Sequence, residues 1–252
     1  MSCIPFNMRT HLIRFTVTGL VAGLLCAVAT ATPAAADPAP RTTNGPCRYA
    51  ETPDDPPARP VGLPFDPRRQ QTWNTHVVLR TSHGKITMKL DAAKAPCTVQ
   101  SFEHLILHRF YNNTSCHRLT AYPTLKVLQC GDPSGTGSGG PGYQYKDELP
   151  TDLPPVPDRP DRVYYPRGTL AMANAGPDTN GSQFFLVYAD SILRPNYTVF
   201  GTIDEAGMVA LDAIAAGGIQ PTPEDPAPVD GAPVLSADIQ RACVHLFPLP
   251  IC

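Results

Sequence analysis

Two stretches hold residue types whose combination could do chemistry: Cys116 to Tyr143, CHRLTAYPTLKVLQCGDPSGTGSGGPGY, and Gly168 to Gly201, GTLAMANAGPDTNGSQFFLVYADSILRPNYTVFG. Arg118 brings a permanent charge with directional donors, Gln129 can hold a hydrogen-bond network, and Asn174 adds further amide capacity. Phe185 with Val127 and Leu193 offers apolar surface for a pocket. Such a set suits a site that holds and polarises a ligand without a covalent step. On strand alternation His117 and Arg118 face opposite sides, so only one of them enters the same pocket. A purely structural reading also fits: a surface ion pair for Arg118 and a core position for Phe185.

Other chemistries fit these residues less well. Ser182, Ser134, His117 and Asp132 can be assembled on paper into a hydrolase, but no Gly-x-Ser-x-Gly elbow is present. Cys116 lies beside His117, and adjacent strand residues point apart, which argues against a thiol enzyme. The glycine run from Gly131 to Gly140 lacks the Gly-Lys-Ser/Thr ending of a phosphate loop, so its glycines are read as tight turns beside a groove. His104 and His108 are four apart but have no third ligand nearby; they are read as solvent-facing helix residues, and no metal is expected.

The elements that must position this chemistry are mostly short strands. His76–Arg80 and Lys85–Leu90 flank a Thr-Ser-His-Gly turn and read as a hairpin, the second run alternating Ile86, Met88 and Leu90 with polar residues. Pro96 opens a helix through His108 with Val99, Phe102, Leu105 and Ile106 on one face, and a second helix fits Ala206–Ala216 before Gly217-Gly218. Strands are expected over Thr114–Leu119, Leu125–Gln129, Thr169–Ala173, Phe184–Tyr188, Thr198–Ile203 and Val234–Gln240, with a proline-rich surface insertion near 150–163. Many short strands, two helices and long Gly/Pro loops predict a mainly β domain, an antiparallel barrel with helical covers.

The formal charge of −2 and the lack of a dense Lys/Arg stripe argue against nucleic-acid binding. At the amino end Arg9 and Arg14 precede the apolar run Phe15–Ala31 and the small residues Ala34-Ala35-Ala36, which reads as a signal peptide over residues 1–36 cleaved after Ala36. An uncleaved anchor is the alternative. Residues 37–74 form a proline-rich extension, read either as a flexible spacer or as an arm stapled to the domain through Cys47. Export into an oxidising compartment makes disulfides plausible among Cys47, Cys97, Cys116, Cys130, Cys243 and Cys252, with spacing alone unable to choose the pairing. Residues 241–252 read as a cysteine-containing tail.

The segments CHRL, VLQCGDPSGTGSGGPGY, MANAGPDTNGSQFF and NYTVFG, met in this order, resemble those of cyclophilin-type peptidyl-prolyl cis/trans isomerases, particularly exported or membrane-associated actinobacterial members. The resemblance covers roughly Val77–Gln240, within a domain taken as 75–240, and implies a closed eight-stranded antiparallel barrel capped by two helices, with its groove outside the barrel. It implies a monomer that isomerises Xaa-Pro bonds in proline-containing peptides and unfolded exported proteins, without a cofactor or covalent intermediate. A non-catalytic Pro-peptide-binding or chaperone module using the same groove is the alternative.

Residue by residue, the resemblance makes Arg118 the catalytic arginine and Gln129 its supporting glutamine. Val127, Phe185 and Leu193 become the proline pocket, and Ala173, Asn174 and Gln183 the groove wall. Tyr197 stands where many relatives have histidine, and Lys126 where an aromatic is common, which makes the pocket mouth more cationic. Ile192 stands where many eukaryotic relatives place tryptophan, so only weak binding of the family's cyclic immunosuppressant is expected.

Overall fold

The computed structural model describes residues 39–246 and 249–252, so the expected leader and its cleavage point lie outside the described residues. The strands are Ala50–Glu51 (β1), Thr75–Thr81 (β2), Gly84–Leu90 (β3), Thr114–Ser115 (β4), Arg118–Thr120 (β5), Val127–Cys130 (β6), Tyr143–Gln144 (β7), Pro155–Val156 (β8), Arg159–Tyr165 (β9), Thr169–Met172 (β10), Phe184–Val187 (β11), Ser191–Leu193 (β12), Val199–Ile203 (β13), Asp230–Gly231 (β14), Asp238–Leu246 (β15) and Leu249–Ile251 (β16). The helices are Pro96–Leu107 (α1) and Glu205–Ala216 (α2). The β2–β3 hairpin and both helices fall where the sequence pattern puts them.

The expected closed eight-stranded barrel is not what forms. Among the described residues the main sheet has eleven strands, and its hydrogen-bonded path β14-β5-β6-β11-β10-β13-β3-β2-β15-β16 is open, with β4 pairing β15 off that path. The cause lies at Cys116 and His117, where the strand expected over Thr114–Leu119 breaks into β4 and β5. The first pairs with β15 and the second with β6 and β14, so no continuous strand carries the ladder round to closure. Two further boundaries differ. The last expected strand, Val234–Gln240, begins at Asp238 and runs to Leu246, placing Cys243 inside β15 rather than in a tail. The proline-rich insertion contributes β8 and β9, which join β12 in a separate three-stranded sheet.

Alternation gives the central strands two apolar faces. Leu128, Cys130, Phe184, Leu186, Leu170 and Met172 point into the main core with Phe102, Leu105, Phe200 and Leu211 from other elements. Their sequence neighbours Val127, Phe185, Val187 and Ala171 form a second, smaller cluster with Tyr165, flanked by the partly buried Leu193 and Tyr197. A one-residue register slip would exchange the two faces, so the strand register also fixes which residues a ligand can meet.

Helix α1 packs Val99, Phe102, Leu105 and Ile106 inward but has no capping side chain at its own N-cap, Ala95. Glu148 substitutes from a distant loop: its carboxylate accepts from the Cys97 amide (3.0 Å) and from the Thr98 amide and hydroxyl (both 2.8 Å). That arrangement satisfies orphan donors at the positive end of the helix. Helix α2 has a local cap, Asp204 accepting from the Gly207 amide at 2.7 Å.

The proline-rich arm packs on the domain. Cys47 is disulfide-bonded to Cys97 at the start of α1, and β1 pairs antiparallel with β7. Tyr49 is buried between Tyr143 and Tyr145, and its hydroxyl donates to the Cys97 carbonyl at 2.7 Å. One Arg59 amino group donates to the carbonyls of Arg109, Phe110 and Asn112 at 2.7 to 2.9 Å. The other bonds join Cys116 to Cys130 and Cys243 to Cys252.

Candidate active site

Register assembles the site. On neighbouring strands Arg118 stands opposite Gln129, Gln129 opposite Phe185, and Phe185 opposite Ala171. Directly opposed residues share a face with Cβ atoms about 5 Å apart, so a guanidinium, an amide and a phenyl ring form one row. The Cys116–Cys130 bond ties the chain just before β5 to the end of β6, fixing the first two members of the row.

A hydrogen-bond chain runs along this row. Arg118 Nη1 donates to Gln129 Oε1 at 3.3 Å, Gln129 Nε2 donates to Gln183 Oε1 at 2.8 Å, and Gln183 Nε2 donates to the carbonyls of Gly137 (2.8 Å) and Gly139 (3.1 Å). Each amide has its oxygen toward the preceding donor and its nitrogen toward the next acceptor. The glycine loop at the far end is held by Asp132, which accepts from the amides of Ser134 (2.7 Å), Gly137 (2.7 Å) and Gly139 (3.0 Å). Burial works to raise the Asp132 pKa, but the Ser134 hydroxyl and these amides outweigh it and hold the group below the usual aspartate value. Gly131 enters this loop at φ +97°, and a Cβ there would meet the Ser182 carbonyl at 2.3 Å, so only glycine fits.

Arg118 has a second partner, which no motif in the sequence marks. Asp230 in β14 accepts from Nε at 2.7 Å and from Nη2 at 2.6 Å, a bidentate ion pair. Hydrogen bonding to the Asp230 carboxylate raises the guanidinium pKa further, so Arg118 keeps its charge at any working pH. Asp230 lies 112 residues from Arg118. Its sequence signal was an Asp-Gly turn dipeptide in a proline-rich loop, which marks a turn and names no partner. The His117 ring is half-buried against the glycine loop, where a Cβ on Gly137 would stand 3.4 Å from its Cδ2, and burial pushes its pKa down.

Beside the guanidinium is the smaller apolar cluster. Phe185 is 5% exposed and meets Tyr197 edge-on, ring centres 5.6 Å apart, with Tyr165 at 6.2 Å. Tyr165 was absent from the sequence-derived set; its hydroxyl donates to the Arg194 and Tyr197 carbonyls and so positions the Tyr197 loop. Val127 and Leu193 belong to the same cluster, and Leu193 is brought in by pairing of β12 with β9. Ala173 and Asn174 lie across from Gln183, the Ala173 amide donating to the Gln183 carbonyl at 2.9 Å. The Asn174 side chain bridges two loops, donating to the Asn196 carbonyl at 2.9 Å and accepting from the Gly176 amide at 3.3 Å. Lys126 is half-buried at the start of this region, its amide donating to Ser191 Oγ at 2.9 Å.

Residues 76–239 match the family described as cyclophilin type peptidyl-prolyl cis-trans isomerase/CLD. The chain belongs to that family. It is 49% identical over 187 residues to the probable peptidyl-prolyl cis-trans isomerase B of Mycobacterium tuberculosis, a match covering 71% of this chain and 59% of the relative. The Mycobacterium leprae counterpart is 52% identical over 171 residues, covering 67% of this chain and 56% of the relative. The chain therefore spans less than two thirds of the length of these mycobacterial relatives.

A crystal structure of a Cryptosporidium parvum cyclophilin type peptidyl-prolyl cis-trans isomerase superposes with a TM-score of 0.55 at 27% identity, covering 70% of this chain and all of that one. A second structure of the Cryptosporidium protein, determined in the presence of the dipeptide Ala-Pro, gives 0.54 at 27% identity, covering 68% of this chain and 99% of that one. Within the cyclophilin region lie every member of the row and Asp230, whereas the disulfide-anchored arm precedes it.

Proposed function

We propose that this chain catalyses cis/trans isomerisation of Xaa-Pro bonds in exported proteins, with Arg118 as the catalytic group. A planar amide resists rotation by about 18–20 kcal/mol because the nitrogen lone pair is shared with the carbonyl. Half-way through the rotation that sharing is lost, and the prolyl nitrogen becomes a hydrogen-bond acceptor. A guanidinium donor aimed at it binds the twisted state more tightly than either planar state, which lowers the barrier. The observation that carries this reading is the row Arg118, Gln129, Phe185. It sets a cation with unused donors beside an apolar surface suited to a five-membered ring.

Each remaining residue has a role in that scheme. Gln129 and Asp230 engage three of the five N–H donors a guanidinium carries, leaving the others for substrate. Val127, Phe185 and Leu193 take the ring, Tyr197 walls it, Ala173, Asn174 and Gln183 run along the neighbouring peptide, and Lys126 makes the entrance more cationic. No proton transfer is required. Isoleucine at 192 leaves the cyclic immunosuppressant without an indole donor, so binding of it is weak.

The chain acts as a monomer after export, either released or retained at the cell envelope. Three disulfides among the described residues accord with an oxidising compartment. Among the described residues no helix is long and apolar enough to cross a membrane. Acceleration of cis/trans exchange in a short Ala-Pro peptide tests the proposal. Peptide binding without acceleration would turn the reading to a non-catalytic Pro-peptide-binding module.

A further inference from the structure

We propose that Asp55, carried by the proline-rich arm, makes the cavity beside the proline-binding row selective for substrates with a cationic side chain about two residues from the proline. The inference rests on the isomerase reading of the same groove. It adds a charge preference supplied from outside the family domain, since the cyclophilin match begins only at residue 76.

The cavity has a volume of about 460 Å³ and is continuous with the row, because Gln183 lines it while standing two residues from Phe185. At about 3.3 Å of rise per extended residue, that offset is about 7 Å. A peptide whose proline rests on Phe185 therefore reaches the cavity with the side chain about two positions away. One wall is the glycine segment Gly137–Pro141 and another is Ala173–Ala175. The wall nearest the arm holds Thr52 and Asp55, and Asp55 is the one charged residue in the lining.

The arm is fixed well enough to act as a wall. The Thr52 amide donates to the Gly142 carbonyl at 3.0 Å, and the Ala58 amide to the Gly140 carbonyl at 2.9 Å, bracketing Asp55 on both sides. A tight local turn closes between them, with the Asp55 amide donating to the Thr52 carbonyl at 3.0 Å and the Thr52 hydroxyl to the Asp55 carbonyl at 2.9 Å. The fit against the glycine segment is close: a Cβ on Gly142, at φ +77°, would meet Pro57 Cδ at 2.7 Å. A Cβ on Gly140 would come 3.7 Å from Asp55 Oδ2, so the carboxylate lies over the glycine wall. Among the described residues that carboxylate has neither an ion-pair partner nor a hydrogen-bond partner. The cavity presents a solvated negative charge with nothing inside to neutralise it, and a lysine or arginine reaching in would supply the counter-charge.

The test uses the full chain and Ala-Pro peptides carrying Lys, Ala or Glu at each position from three before to three after the proline. Dissociation constants come from calorimetry and turnover from cis/trans exchange. At one position about two from the proline, the Lys peptide is expected to bind about fivefold tighter than the Glu peptide, a ratio typical of one partly exposed charge pair. The ratio shrinks in 1 M salt, falls to about one in Asp55→Asn and inverts in Asp55→Lys. Equal affinity for Lys and Glu peptides at every position, or a preference that survives Asp55→Asn, overturns the proposal. Turnover separates the two readings: a charge preference in binding with no acceleration of any peptide leaves Asp55 in place and removes the isomerase assignment, whereas acceleration blind to charge does the reverse.

Discussion

Asp230 grips Arg118 through both carboxylate oxygens, at 2.7 and 2.6 Å, while Gln129 holds the opposite amino group. The guanidinium is thereby fixed in its plane from two directions. Asp230 itself is placed by main-chain pairing, β14 lying against β5 with Asp230 opposite Thr120.

Removing that grip should cost activity through orientation rather than charge. Asp230→Ala is expected to lower kcat about tenfold, corresponding to about 1.4 kcal/mol of lost positioning. Asp230→Asn keeps one acceptor and should lose less. Steady-state exchange kinetics on both variants, with thermal melts as a fold control, check this. A rise in kcat for Asp230→Ala would mean that the carboxylate competes with substrate instead of positioning the arginine.

The arm should loosen in mild acid because of His104. Its ring packs 4.1 Å from that of His108, and Nε2 lies 3.3 Å from the Gly62 carbonyl of the arm. This corrects the expectation of a solvent-facing residue: the arm covers the helix face that the sequence left open. Burial, with a contribution from His108, pushes the His104 pKa down to about 4 from 6.5. The docked state resists the proton, so its stabilisation is complete above about 6.5 and is lost progressively as pH falls towards 4. Limited proteolysis within residues 52–70 should be faster at pH 5 than at pH 7, and His104→Gln should flatten the difference.

The Cys47–Cys97 bond should matter most among the disulfides for global stability. It closes a separation of 50 residues, against 14 for Cys116–Cys130 and 9 for Cys243–Cys252. Loop-closure entropy then assigns it about 4 kcal/mol, compared with about 3 for each of the others. Denaturant unfolding of Cys47→Ser is the check, and a midpoint shift smaller than that of Cys243→Ser would contradict the ranking.

Local signals carried much of this architecture. The β2–β3 hairpin, the inward face of α1 and the glycine stop after α2 are written in alternation, helical spacing and turn residues, all of which act over a few positions. Phe185, Val127 and Arg118 could be picked out as a set because their motifs resemble those of one family. What stayed hidden depends on distance. Asp230 reaches Arg118, Glu148 caps α1 and the arm covers His104 only after the chain has folded back over many tens of residues, and no periodicity encodes such meetings. The open sheet was missed for a related reason: the Thr114–Leu119 run has strand composition throughout, and its division at Cys116 and His117 reflects two different pairing partners.

The most direct measurement is the rate of cis/trans exchange of an Ala-Pro peptide, followed by NMR exchange spectroscopy with the intact chain and with Arg118→Ala. The account predicts clear acceleration by the intact chain and a loss of about a hundredfold or more in the variant, the scale for removing a transition-state donor, with an unchanged fold. Equal rates from the two proteins would contradict the role given to Arg118 and leave the groove as a binding surface only.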